Sequence, residues 1–188
     1  RLDDAAAMLT RCEAKDPLVP TLPATAVLLR FWRRDFDAAI AYGKQAIELH
    51  PYLQIVRVNY AQALEFSGRL AVALGQYKLA SVMSPDLPWL RALEATCLAK
   101  MGKTAAAQEI LEELEHLRRS EYVDAFYQGV LQEALGHRAE AMNELERAVD
   151  EHSAFVFSMN VDPKMDVFRG GARYQRLEAG RSVKTARA

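Results

Sequence analysis

Cysteines are few in this sequence of 188 residues, and no long uncharged hydrophobic run is present. The two cysteines, Cys12 and Cys97, lie far apart and form no CxxC pair, so neither a disulfide framework nor a zinc site is expected. Uncharged apolar stretches such as residues 17–29 are shorter than the roughly 20 residues that cross a bilayer. We therefore predict a cytoplasmic protein without a membrane span.

An excess of charge of one sign is also lacking. The 24 lysines and arginines oppose 25 aspartates and glutamates, which leaves a net charge of −1. Nucleic-acid-binding domains usually carry a positive field, so we expect no direct nucleic-acid binding by this chain. The C-terminal end from Arg169 onward is locally basic, and we interpret it as a terminus whose arginines pair with nearby carboxylates.

Catalytic and metal-binding patterns are missing as well. The four histidines are scattered without a paired spacing such as HExxH, and Gly170-Gly171 follows no strand and lacks the lysine of a phosphate-binding loop. Ser153, Asp162 and Asp166 are interpreted as capping and turn residues. The sequence predicts no catalytic residue, no metal site and no cofactor, and therefore a protein that is not an enzyme.

A 34-residue period is the dominant pattern that is present. Glycine recurs at this spacing as Gly68, Gly102 and Gly136, and proline recurs as Pro17, Pro51 and Pro85. Alanine follows the same period over five positions: Ala5, Ala39, Ala73, Ala107 and Ala141. Three residue types that share one period indicate an array of structural repeats.

Each repeat is predicted to contain two helices. After four of the five ladder alanines, a large apolar residue follows four positions later and a small or apolar residue three further on, as in Ala73, Tyr77 and Ala80. These offsets place the side chains on one helical face. The ladder glycines precede these helices and suit a left-handed C-cap, whereas the prolines end helices.

This pattern resembles the tetratricopeptide repeat over about residues 1–151. The resemblance implies an all-α superhelical solenoid with half a repeat (1–19) and full repeats at 20–53, 54–87, 88–121 and 122–155. It departs from the family pattern at Arg34, where the turn glycine is expected, at Gly43, where a large residue is expected, and at Arg119, where a proline is expected. The opening half repeat and the start at Arg1 lead us to expect a fragment of a longer protein.

Residues 156–188 are predicted to form a helical capping segment and a basic tail. They contain Asp162-Pro163, Asp166, Phe168-Arg169 and an Arg-aromatic-x-x-Leu ending at Leu177. This block resembles the tail of tetratricopeptide arrays in bacterial signalling proteins: winged-helix transcriptional regulators of the CadC and ToxR type, nucleotide cyclases and Ser/Thr kinases. We expect it to cover the last hydrophobic face of the solenoid through Phe155, Phe157, Met165, Phe168, Tyr174 and Leu177.

The first helix of each repeat is expected to line a concave groove that binds a protein or peptide. The predicted groove residues are Val58, Asn59, Gln62, Glu65, Trp89, Ala92, Thr96, Phe126, Tyr127 and Val130. Alternatively, Trp89 and Phe126 simply pack between helices. The family's clamp for chaperone C-termini is not expected, because only Asn59 fits it.

These observations predict a non-catalytic protein-interaction module. By resemblance, we expect it to be the C-terminal sensor or partner-binding region of a bacterial transcriptional regulator. The alternatives are an accessory domain of a signalling enzyme, such as a nucleotide cyclase or Ser/Thr kinase, and a free-standing scaffold.

Overall fold

The computed structural model describes residues 1–16, 19 and 21–185, the last five of them by backbone alone. Within these residues the fold is all-helical and contains no strand, as predicted. The helices are α1 (Leu2–Lys15), α2 (Leu22–Trp32), α3 (Phe36–Leu49), α4 (Gln54–Phe66), α5 (Leu70–Met83), α6 (Pro88–Lys100), α7 (Thr104–Leu117), α8 (Ala125–Ala134), α9 (Arg138–Asp150) and α10 (Ala172–Thr185). Two 3-10 turns, Val156–Ser158 and Pro163–Met165, lie between α9 and α10.

The helices follow the 34-residue period of the sequence. The odd-numbered helices from α1 to α9 begin at residues 2, 36, 70, 104 and 138. All consecutive helices except the pair α7 and α8 pack closely on each other, and α2 also packs on α4, as α6 does on α8. Because short turns join the helices, neighbours run antiparallel. We call α2, α4, α6 and α8 the inner helices and α1, α3, α5, α7 and α9 the outer helices.

The turns that start the outer helices have the predicted left-handed backbone. Gly68, Gly102 and Gly136 have φ values of 83°, 76° and 85°. Arg34 occupies the equivalent position before α3 and has a φ of 61°, although a side chain disfavours this conformation. The turn therefore keeps its geometry without glycine, and the arginine side chain makes contacts that are described below.

Small residues at the helix contacts explain the alanine ladder. Ala39, Ala73, Ala107 and Ala141 are fully buried, which lets neighbouring helices approach closely. Ala5 in the same register is exposed, because α1 packs mainly on α2. At Gly43 a Cβ atom would lie 2.9 Å from Cδ2 of Tyr60, so the tyrosine of α4 fills the space of the expected large residue.

The chain beyond α9 takes a course that the sequence did not predict. His152, with a φ of 56°, ends α9, and residues 152–171 then run across the inner helices as far as α2. We call residues 152–171 the strap. α10 packs on α9 as the expected cap of the last repeat, with Tyr174 buried, and Phe168 stacks on Tyr174 and lies against Arg138 of α9. Phe155 and Phe157 instead lie on the inner helices.

Some sequence predictions fall outside the structural description. Pro17, the first of the three ladder prolines, and residues 186–188 of the basic tail are not among the described residues. Over the part of the chain that is described, no helix combines the length and the apolar character needed to cross a membrane.

Candidate functional site: the inner groove

The ten predicted groove residues all lie on the inner helices α4, α6 and α8. Several of them converge on one surface. Val58, Asn59, Gln62 and Tyr127 border the same small cavity. Trp89 stacks on Tyr127 with ring centroids 5.2 Å apart, so α6 and α8 contribute to one aromatic cluster.

This surface is covered by the strap. Phe155 of the strap contacts three predicted groove residues, with ring centroids 4.6 Å from Tyr127, 5.3 Å from Trp89 and 6.2 Å from Phe126. Nine of the ten predicted residues are buried, and Trp89 is half-buried. These residues lie on the inner helices as expected, but they are packed internally because the strap of the same chain covers them.

The centre of the strap carries a buried lysine. The side chain of Lys164 is 3% exposed, and its Nζ forms an ion pair with Asp162 at 2.9 Å. It also donates a hydrogen bond to Oε1 of Gln62 on α4. Its ammonium group lies 4.9 Å from the ring centre of Phe31 and 6.0 Å from that of Tyr127. A charge removed from water needs such partners, and the groove supplies them.

Both ends of the strap are anchored to the helices. At its start, Ser153 donates a hydrogen bond of 2.7 Å to Asp124, whose other carboxylate oxygen caps α8 by accepting from the backbone N–H of Phe126. Within the strap, Asp162 accepts from the backbone N–H of Lys164. The interpretation of Ser153 and Asp162 as capping and turn residues is confirmed.

The far end of the strap is clamped by Arg34. Its guanidinium donates to both carboxylate oxygens of Asp166, at 2.7 and 3.0 Å, and to the carbonyl of Val161 at 3.2 Å. Burial alone would raise the pKa of Asp166, but hydrogen bonds from Arg169 and Arg34 outweigh this effect and lower its pKa below the ordinary value. The residue that departs from the repeat pattern at position 34 therefore holds the strap to α2.

Three predicted groove residues have internal roles. The carboxylate of Glu65 accepts hydrogen bonds of 2.6 Å from both the Tyr77 hydroxyl and Lys100 Nζ. Burial, and then the charge of Glu65, raise the pKa of Tyr77 well above its usual value. Thr96 donates to the carbonyl of Ala92 in its own helix. These residues stabilise the helix stack rather than face an open cleft.

The residues that sequence reasoning missed are those that fill and close the groove, namely Lys164 and Arg34. One signal was available for each. Lys164 is a charged residue between Pro163 and Met165. Arg34 replaces a glycine at a turn that favours glycine. Neither signal reveals which residue is the partner, because the contacts of Arg34 and Lys164 join residues about a hundred positions or more apart.

A further cavity of about 220 Å³ lies open between the strap and the inner helices. Its walls are mostly apolar, and its charged lining residues are Lys100, Glu133 and Lys164. Among the described residues, Oε2 of Glu133 is buried and has no hydrogen-bond partner. The cavity is lined by Phe66, Lys100, Val130, Glu133, Ala134, Pro163, Lys164, Val167 and Phe168.

Comparison with known proteins finds one partial similarity. The chain is 32% identical over 108 residues to the Vi polysaccharide export protein VexE of Salmonella typhi. The matched region covers 57% of this chain but 16% of the export protein. No family model matches the sequence.

Proposed function

We propose that this chain is a non-catalytic protein-interaction module built as a tetratricopeptide-type solenoid. The 34-residue spacing of the outer helices, together with their packing on the inner helices, supports this assignment. In such arrays each helix pair buries its apolar face against its neighbours, and the extended surfaces that result serve as binding surfaces.

The open cavity is the observation that carries the interaction role. Its volume of about 220 Å³ lies below the roughly 300–1,000 Å³ of pockets that enclose drug-sized ligands. It suits a single side chain projecting from a partner protein, with an apolar body between Phe66 and Phe168. The charged residues Lys100 and Glu133 in the lining would offer polar contacts to the tip of that side chain.

Two hosts for this module are supported by different observations. The tail that contains Asp162-Pro163 and Phe168-Arg169 favours a cytoplasmic bacterial transcriptional regulator, as the sequence resemblance implies. The similarity to a polysaccharide export protein favours a second candidate, a scaffold region within an export assembly. The interaction role is common to both, and it is the role we propose.

Photo-cross-linking in the producing cells tests this function. A photoreactive residue placed at Val167, an exposed cavity-lining position on the strap, should give a saturable cross-link to one protein that mass spectrometry identifies. Filling the cavity with Ala134→Phe should abolish the product. The control, Ala105→Phe at an exposed position of α7, should leave it unchanged.

The proposed role fails if no cross-link forms. It also fails if the product persists in Ala134→Phe while circular dichroism shows that this variant is folded. A second cavity-filling variant, Val130→Phe, repeats the test should Ala134→Phe unfold.

A further inference from the structure

The outer helix α5 has a solvent face with almost no charge. The side chains of Val72 and Leu79 are 50% exposed, and that of Val82 is 79% exposed. We call the exposed residues of this helix the α5 face. They are Ala71, Val72, Gly75, Lys78, Leu79, Val82 and Met83, of which Lys78 alone is charged. Residues exposed on a helix of a monomeric protein are normally polar or charged.

The other outer helices provide an internal comparison, since the same positions recur every 34 residues. Gly75, Leu79 and Val82 correspond to Glu109, Glu113 and His116 of α7. All six are exposed, so the two helices differ in chemistry and not in burial. In α9 the equivalent positions, 68 residues after Val72 and the later residues of the α5 face, are all polar or charged. They are Glu140, Asn143, Glu146, Arg147, Asp150 and Glu151.

The apolar surface continues onto the preceding turn. Arg57 donates both to Oε1 of Gln76 on α5, at 2.7 Å, and to the carbonyl of Pro51, at 3.5 Å. A single guanidinium group therefore spans from α5 to the turn that follows α3. This turn exposes Tyr52 by 89% and, two residues before Pro51, Leu49 by 76%.

We propose that the α5 face, together with Leu49 and Tyr52, is the contact through which two copies of this chain form a symmetric dimer. Six of these residues are between 37% and 89% exposed, and burying them would remove an area on the order of the 800 Å² that each partner contributes to a standard interface. A two-fold axis pairs the same patch with itself, so the patch must fit its own copy.

The shape and charge of the α5 face meet this requirement. At helical spacing, Ala71, Gly75 and Val82 lie along one line of the α5 face, and Val72, Leu79 and Met83 lie along the next. In the dimer the larger side chains of each copy pack over the small residues Ala71 and Gly75 of the other. On the α5 face itself a partner that docks by charge would find only Lys78, with the Arg57 guanidinium at the border to the Pro51 turn, whereas a second copy offers an equally apolar face. This contact is independent of the proposed groove function, since it uses the opposite side of the helix stack.

Sedimentation equilibrium of the chain from about 1 to 100 μM tests the proposal. We expect a reversible monomer–dimer equilibrium. The variant Leu79→Glu/Val82→His, which carries the residues found 34 positions later on α7, should weaken dimerisation at least tenfold. The control Ala105→Glu adds a negative charge at an exposed site on α7 and should dimerise like the original chain.

Hydrogen exchange of the unmodified chain gives a second measurement that requires no variant. Residues 70–83 should become more protected as the concentration rises through the dimer range. A chain that stays monomeric at every concentration overturns the proposal. The proposal is also overturned if the folded Leu79→Glu/Val82→His variant dimerises as strongly as the original chain. It is overturned likewise if the added protection lies outside α5 and the Tyr52 turn.

Discussion

The inner surface of the helix stack and the α5 face on its outer side are both rich in apolar residues but lie in different environments. On the inner helices, aromatic residues such as Phe126 and Tyr127 are buried because the strap lies over them. On the outer side, Val82 of α5 is 79% exposed and meets no segment of the described chain. Hydrophobicity in the sequence thus marks both surfaces. The path of residues 152–171 covers much of the inner one and leaves a cavity of about 220 Å³ there, whereas the described chain leaves the α5 face uncovered.

The two surfaces are therefore expected to contribute to different properties, the stability of the fold and the association of two copies. Side chains under the strap are expected to contribute mainly to the free energy of unfolding, whereas side chains on the α5 face should contribute mainly to association. Substitutions of matched chemistry on the two surfaces test this separation directly.

The largest effect is expected at Phe168. This strap residue is fully buried, and Phe168→Ala should lower the free energy of unfolding by about 3–5 kcal/mol. Val82→Ala on the α5 face should change it by less than about 0.5 kcal/mol in dilute solution. Urea denaturation of both variants provides the measurement. Equal losses at the two sites would remove the distinction between the inner and outer surfaces.

A smaller loss is expected from adding volume to α5. Ala73 is fully buried, so Ala73→Leu should overpack the contact with α4 and lower the free energy of unfolding by about 1–3 kcal/mol. Ala71 lies two residues away on the exposed α5 face, and Ala71→Leu should be nearly neutral. Thermal melting distinguishes them, and a destabilised Ala71→Leu would mean that this side of α5 is packed.

The smallest effect concerns two glycines inside helices. A Cβ atom at Gly75 meets no atom within 4 Å, so Gly75→Ala should stabilise the fold by about 1 kcal/mol through helix propensity. At Gly129 of α8, a Cβ atom would lie 3.1 Å from the carbonyl oxygen of Ala141 and from Cγ of Leu145. Gly129→Ala should therefore gain nothing or destabilise. Urea midpoints that rise equally in both variants would contradict this contrast.

The helical architecture could be predicted because its signals are local. Gly68, Gly102 and Gly136 mark turns whose left-handed backbone favours glycine, and Ala73 and Ala141 mark close helix contacts. Even the departure at Arg34 did not obscure the pattern, since neighbouring repeats supply the register. The ten candidate groove residues lie on α4, α6 and α8, whose positions follow from the same period.

The sequence by itself determined where helices begin and end, because turns, caps and helical faces depend on residues a few positions apart. Only the tertiary structure decided that the groove is filled and that the α5 face stays bare. The strap is held by contacts such as Arg34 with Asp166 and Lys164 with Gln62, which join residues separated by 132 and 102 positions. No periodic pattern encodes such pairings, because they arise when packing of the helices brings distant segments together.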